Sequence, residues 1–143
     1  MQKQLSFRSL LFAFGTLLLL CFALTACAVK NPAPEHATVT GTALYRERIM
    51  LPPDAELTIR LLDVSLADAP AKTLGVQVIP SPGNPPYAFS VAYDPAEIDP
   101  RHTYSVAADI RVNGKLLFIT DTHYSVITRG ASNTAELVLI KVQ

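Results

Sequence analysis

The chain predicts an all-β fold, a two-layer antiparallel β-sandwich of seven or eight short strands, set behind a lipoprotein signal peptide and a short tether. Three observations carry this. Apolar and polar residues alternate in short runs from Ala37 onward, the period-two pattern of strands with one buried face. Proline, glycine, asparagine and aspartate break those runs at spacings of roughly ten residues, as in sandwiches and barrels. Almost no segment has the 3.6-residue period of a helix. A closed barrel is the alternative arrangement of the same strands.

At the N-terminus, Lys3 and Arg8 precede an uncharged run from Ser9 to Leu24. A basic region, an apolar stretch and a small residue before a cut site make a secretory signal. A transmembrane anchor needs about 20 apolar residues, and this run is shorter and gives way to polar, proline-bearing sequence. Leu24, Thr25, Ala26 and Cys27 read as a lipobox. Residues 1–26 therefore resemble a type II signal peptide. That resemblance implies a diacylglyceryl thioether on Cys27, cleavage between Ala26 and Cys27, and acylation of the new amino group, with no other cofactor. A thiolate is the soft nucleophile this chemistry needs. At about 0.8 kcal/mol per buried methylene, two or three acyl chains hold a protein on a bilayer effectively permanently. Ala28 after the cysteine implies, in a two-membrane cell, an outer-membrane lipoprotein facing the periplasm.

The mature domain then has no thiol, because Cys21 leaves with the leader and Cys27 carries lipid. Disulfides, thiolate metal sites and cysteine catalysis are excluded, and the domain must stand on its core. A chain of this size buries about two thirds of its unfolded surface. Twelve basic residues balance twelve acidic ones, and loss of Lys3 and Arg8 leaves ten against twelve. No basic patch supports nucleic-acid binding.

Residues 27–36 form the tether, polar and proline-rich from Lys30 to His36 and semi-extended at about 3 Å per residue. The β-domain occupies 37–143. Its first strand, Ala37 to Tyr45, sets Val39, Gly41, Ala43 and Tyr45 on one face and Thr38, Thr40 and Thr42 on the other. Leu51-Pro52-Pro53-Asp54 punctuates before Ala55 to Val64, with Leu57, Ile59 and Leu61 inward and Thr58 and Arg60 outward. Ser65 to Pro70 cannot continue a central strand, since proline lacks the ladder donor. Thr73 to Ile79 is the third run, and a proline-rich loop leads to Tyr87 to Tyr93. There Tyr87, Phe89, Val91 and Tyr93 share a face, read as core because aromatics dominate such interiors. Pro95 to Ile98 is a single helical turn with Asp94 as N-cap and proline at the first position. In Tyr104 to Val112 the even-numbered residues point inward and Ser105, Ala107, Asp109 and Arg111 outward. Asn113-Gly114 is the strongest hairpin dipeptide in the chain. Leu116 to Thr120, Tyr124 to Ile127 and Ala135 to Val142 complete the strands.

Four stretches carry a resemblance: Pro52-Pro53-Asp54-Ala55, Leu61 to Pro70, Tyr93 to His102, and Thr120-Asp121-Thr122-His123-Tyr124. They resemble the YbaY-like lipoproteins, which are grouped with the YscW-type lipoprotein chaperones, or pilotins, of type III secretion. The resemblance runs from about Val39 to Val142. It implies a lipid-anchored β-sandwich without enzymatic activity, and, from the pilotins, capture of the C-terminal segment of a secretin for delivery to the outer membrane.

Asp94, Glu97, Asp99, Arg101 and His102 fall within nine residues. Carboxylates beside a histidine can do acid-base work or hold a cation, but Asp-Pro pairs also shape turns, and Arg101 can neutralise either aspartate. A calcium loop alternates oxygen ligands around a glycine, a pattern that prolines break here. His36, His102 and His123 lack metal-ligand spacing, and no serine sits in a Gly-x-Ser-x-Gly elbow. Tyr104, early in its strand after Asp99-Pro100, is placed to act as a corner tyrosine fixing a loop.

These readings favour a non-enzymatic envelope lipoprotein that binds a protein partner, such as a secretin, by a sheet edge or a groove. A cell-wall or carbohydrate module using exposed tyrosines is the alternative. A hydrolase would require Asp94, Asp99 and His102 to converge.

Overall fold

In a computed structural model, residues 35–143 are described; Ala26, Cys27 and the signal and tether segments before Glu35 lie outside the described residues. Eight strands run β1 (Ala37–Tyr45), β2 (Ala55–Asp63), β3 (Lys72–Pro80), β4 (Tyr87–Tyr93), β5 (Tyr104–Val112), β6 (Lys115–Ile119), β7 (Tyr124–Val126) and β8 (Thr134–Lys141). Each agrees with its sequence-predicted span to within a residue or two. A single 3₁₀ turn, Pro95–Glu97, lies between β4 and β5, and the Asp94 carboxylate caps it by accepting from the Ala96 N–H at 2.8 Å. Asn113 and Gly114 both take positive φ, 49° and 78°, the geometry of a tight hairpin matched to strand twist.

The sandwich expectation is corrected in two respects. The strands form one path, β3-β2-β5-β6-β8-β1-β4, with β7 also on β5, so the sheet curls on itself like a barrel instead of stacking as two layers. The pairing is also not wholly antiparallel, because β1 and β8 run parallel from Thr40↔Thr134 to Tyr45↔Leu139. The curl has a local cause. β5 gives its Tyr104–Val106 half to β7 and its Asp109–Val112 half to β6, and register shifts leave an extra residue in β3 opposite Leu61-Leu62 and in β6 opposite Ile110-Arg111. Bulges raise twist and re-aim a strand. No ladder joins β3 to β4, the two ends of the path, among the described residues; there the Gln77 side chain accepts from the Ser90 N–H at 2.7 Å.

One core fills the interior. Val39, Leu57, Ile59, Leu61, Val91, Val106 and Ile110, all on the faces that the alternation assigns inward, are fully buried, as is Phe118 of β6. Tyr87, Phe89 and Tyr93 are buried as well, so these rings do not face water. Three outward positions depart from expectation: Ser105, whose Oγ accepts from the Tyr124 N–H at 3.2 Å, and a cross-strand pair. Thr58 and Asp109, cross-strand partners on β2 and β5, are both only 5% exposed. Arg60 and Arg111 explain Asp109, since both guanidiniums fold onto its carboxylate and cover it, as a buried charge requires.

Candidate functional site

Strand directions give the domain two ends. At the base lie Ala37, the start of β1, and the loops 64–71, 94–103 and 127–133; at the mouth lie the loops 46–54 and 81–86, the Asn113-Gly114 hairpin and the end of β8.

The base holds the acidic cluster singled out in the sequence, and each side chain there has a local partner. Asp99 is clasped by Arg101, whose Nη2 and Nε donate at 2.6 and 3.0 Å and whose backbone N–H donates at 2.9 Å. The Arg101 side chain holds the Asp99 carboxyl well below the usual carboxylate range. His102 turns away, its Nδ1 2.7 Å from Asp63 Oδ2. Among the described residues no side-chain hydrogen bond joins Asp94, Asp99 and His102 to one another; the His102 backbone N–H donates to the Asp99 carbonyl at 2.9 Å, which is turn geometry. Asp63 is a hub that sequence reasoning missed, because the partner that ties it to the acidic loop, His102, is 39 residues away. Its Oδ1 accepts from both Ser65 N–H and Ser65 Oγ, at 3.0 and 2.5 Å, and Ser65 Oγ accepts from the Thr103 N–H. Burial pushes the Asp63 carboxyl up, but the Ser65 hydroxyl, His102 and the Ser65 amide more than offset this, so its pKa lies below normal. The buried Tyr104 hydroxyl accepts from the Asp99 N–H at 2.8 Å, the corner role its position predicts. Thr128 and Arg129 donate to the carbonyls of His102 and Arg101, which fastens the β7–β8 loop to the same network. Among the described residues no group of three His, Cys, Asp or Glu side chains is placed to hold a metal ion.

The mouth is unlike the base. Between the β1–β2 loop and the β5–β6 hairpin opens a cavity of about 440 Å³ lined by Pro52, Val112, Asn113, Lys115 and Leu117. Beneath this end the Tyr45 ring stacks on Phe118 at 4.6 Å, with Tyr87 at 6.4 Å from Tyr45. The Tyr45 hydroxyl donates to the Ile49 carbonyl at 2.8 Å and so pins the adjoining loop. That loop carries Ile49 and Met50 outward, 43% and 81% exposed, beside exposed Arg46 and Arg48. Recesses with apolar walls and a few polar groups are the usual form of a ligand site. Sequence reasoning passed over it, since Val112 and Leu117 read as ordinary strand residues. The one available signal was Ile49-Met50-Leu51, three apolar residues in a segment assigned to no strand.

Residues 34–139 match the family model described as type III secretion system lipoprotein chaperone (YscW). The uncharacterized lipoprotein YbaY of Escherichia coli K12 is 42% identical over 117 residues, which cover 81% of this chain and 61% of that protein. This chain thus spans about three fifths of the length of that relative. Among solved structures, an alternative pilotin from the type II secretion system of Vibrio cholerae superposes with a TM-score of 0.71 at 46% identity, covering 76% of this chain and 99% of that one.

Proposed function

Because this chain belongs to the YscW family of secretion-system lipoprotein chaperones, we propose that it is a non-enzymatic envelope lipoprotein that holds a segment of a partner protein, a secretin in the sharpest form, at the mouth of its barrel. The open apolar cavity at the mouth carries this reading. A recess of that size accepts one or more large side chains from a bound segment, and hydrophobic grooves are a recurrent mode of peptide capture. The named relatives, a lipoprotein and a pilotin, support the same reading.

In this reading Cys27 carries the lipid and Ala26 the cut site. The ten-residue tether from Cys27 to His36 spans about 30 Å if semi-extended and leaves the body free to face the periplasm from the outer membrane. The acidic loop of Asp94, Asp99, Arg101 and His102 then serves to build the base, with catalysis no part of its work.

Fluorescence anisotropy of labelled C-terminal secretin segments against the full chain tests the proposal. Binding is expected, and Leu117→Asp, which sets a charge in the cavity wall, should weaken it by at least tenfold, or about 1.4 kcal/mol. If no secretin segment of the same cell binds, and deletion of the gene leaves every secretin correctly localised, the reading is wrong.

A further inference from the structure

We infer that the segment taken up at the mouth is acidic: a stretch of partner chain that seats large apolar side chains in the recess and lays carboxylates on the rim. This rests on the mouth being the partner site, as proposed above. The rim carries Arg46, Arg48, Arg111, Lys115 and Lys141 against Glu47, Asp54 and Glu56. At the base the balance is reversed. Glu35, Asp63, Asp68, Asp94, Glu97 and Asp99 outnumber Lys72, Arg101 and Arg129 there.

The state of the cations sharpens the contrast. At the base, Lys72 is paired with Glu97 and Arg101 with Asp99. At the mouth, Arg46, Arg48, Lys115 and Lys141 have no ion-pair partner among the described residues. Glu47, the acid between the two loop arginines, turns its Oε2 into the protein, where it is buried without a hydrogen-bond partner among the described residues. Unpaired cations around an apolar recess form a field that draws in carboxylates and repels basic segments. Lys115 is both a rim charge and a wall of the cavity, so charge and apolar contact fall within reach of one segment.

A bilayer with anionic lipids is the other surface that apolar tips and arginines can meet. The shape argues against it. A flat interface leaves the recess unfilled, while a peptide side chain enters it, and the first strand starts at the opposite end, Ala37.

The test uses the full chain and a matched set of short labelled peptides with identical leucine and phenylalanine positions, the other positions filled by glutamate, serine or lysine. Anisotropy titrations at low salt should show the glutamate peptide binding roughly fivefold tighter than the serine one, with lysine weakest, the effect expected of a few exposed charge pairs. The order should reverse in the double variant Arg48→Glu, Lys115→Glu, whose substitutions are exposed and should leave the melting curve unchanged. The preference should shrink at physiological salt, where the Debye length is about 8 Å. Equal binding of all three peptides overturns the acidic inference and leaves the partner reading standing. Failure of all three, together with failure of the secretin segments, removes both. Met50-dependent binding of phosphatidylglycerol vesicles with no peptide binding overturns the inference in favour of a membrane.

Discussion

Gly41 lies at the middle of β1, facing Phe89 of β4 on one side and Ala135 of β8 on the other. A methyl group there would stand 1.8 Å from the Ala135 carbonyl oxygen and 2.8 Å from the Phe89 ring. The first obstacle is backbone held in a parallel ladder, so it cannot rotate aside as a side chain could. Gly41→Ala must therefore pry β8 from β1. Overpacking of a filled core costs about 1–3 kcal/mol, and loss of about two ladder hydrogen bonds at about 1 kcal/mol each brings the total to about 3–5 kcal/mol. A domain of this size has a total stability of about 5–15 kcal/mol. The chain has no tryptophan and five tyrosines, so urea unfolding is followed by tyrosine fluorescence and far-ultraviolet circular dichroism. With a slope of about 2 kcal/mol/M, the midpoint should fall by about 2 M. Gly114→Ala is the control, because its added methyl meets nothing within 4 Å and only the φ of +78° opposes it; about 1 kcal/mol is expected. A Gly41→Ala midpoint within about 0.5 M of the parent, or a larger loss for Gly114→Ala, would refute the steric argument.

Three further outcomes follow from the base and the leader. Tyr104→Phe removes the acceptor for the Asp99 N–H and should cost about 1–3 kcal/mol, the range for an orphaned buried donor; calorimetry of the two proteins measures it. The depressed pKa of Asp63 means that its carboxylate contributes stability that is present above the unfolded value, about 3.9, and is lost as pH falls through the lower folded value. Melting temperatures of Asp63→Asn should accordingly flatten below about pH 4 relative to the parent, and an unchanged acid limb would show that the Ser65 and His102 contacts do not hold the charge. Cys27→Ser should release the chain from the membrane fraction and remove the acyl mass, and retention in washed membranes would contradict lipidation at Cys27.

Strand positions were legible because each follows from two local signals, alternation and breakers. Tyr87 to Tyr93 alternates over its whole length, and its burial does the same. Closure was not legible. Nothing local to Thr40 or Thr134 shows that they pair in parallel, since β1 and β8 lie at opposite ends of the domain's sequence. Sheet assignment depends on such long-range partners. Asp109 shows the same limit, because its burial is created by arginines on two different strands. At the base the sequence gathered Asp94, Asp99, Arg101 and His102, and the local contacts of the first three were visible as turn chemistry. The partner of His102 was not, as Asp63 lies 39 residues away. The mouth escaped notice for a different reason, because a recess is the absence of packing and leaves no pattern of its own.

The two ends thus differ in how fully their chemistry is satisfied. At the base, backbone groups of Asp99, Arg101, His102 and Thr103 are bonded by side chains from Tyr104, Asp99, Arg129, Thr128 and Ser65. Such a network resists local opening, because each loop that lifts leaves partners unmade on another. At the mouth an apolar recess, two exposed apolar tips and four cations without an ion-pair partner among the described residues stand open. Free energy for binding comes from groups that improve their surroundings on contact, so the base has little to offer a partner and the mouth has much. In the proposed reading, a body attached on the side of its finished end and open at the other takes up a segment without disturbing that attachment. Substitutions at the two ends should therefore separate: Tyr104→Phe lowers stability and leaves secretin-segment affinity intact in the folded fraction, while Leu117→Asp, whatever its packing on the core costs in stability, lowers affinity in the folded fraction. If affinity instead followed stability across both variants, the mouth would have no claim to be the binding end.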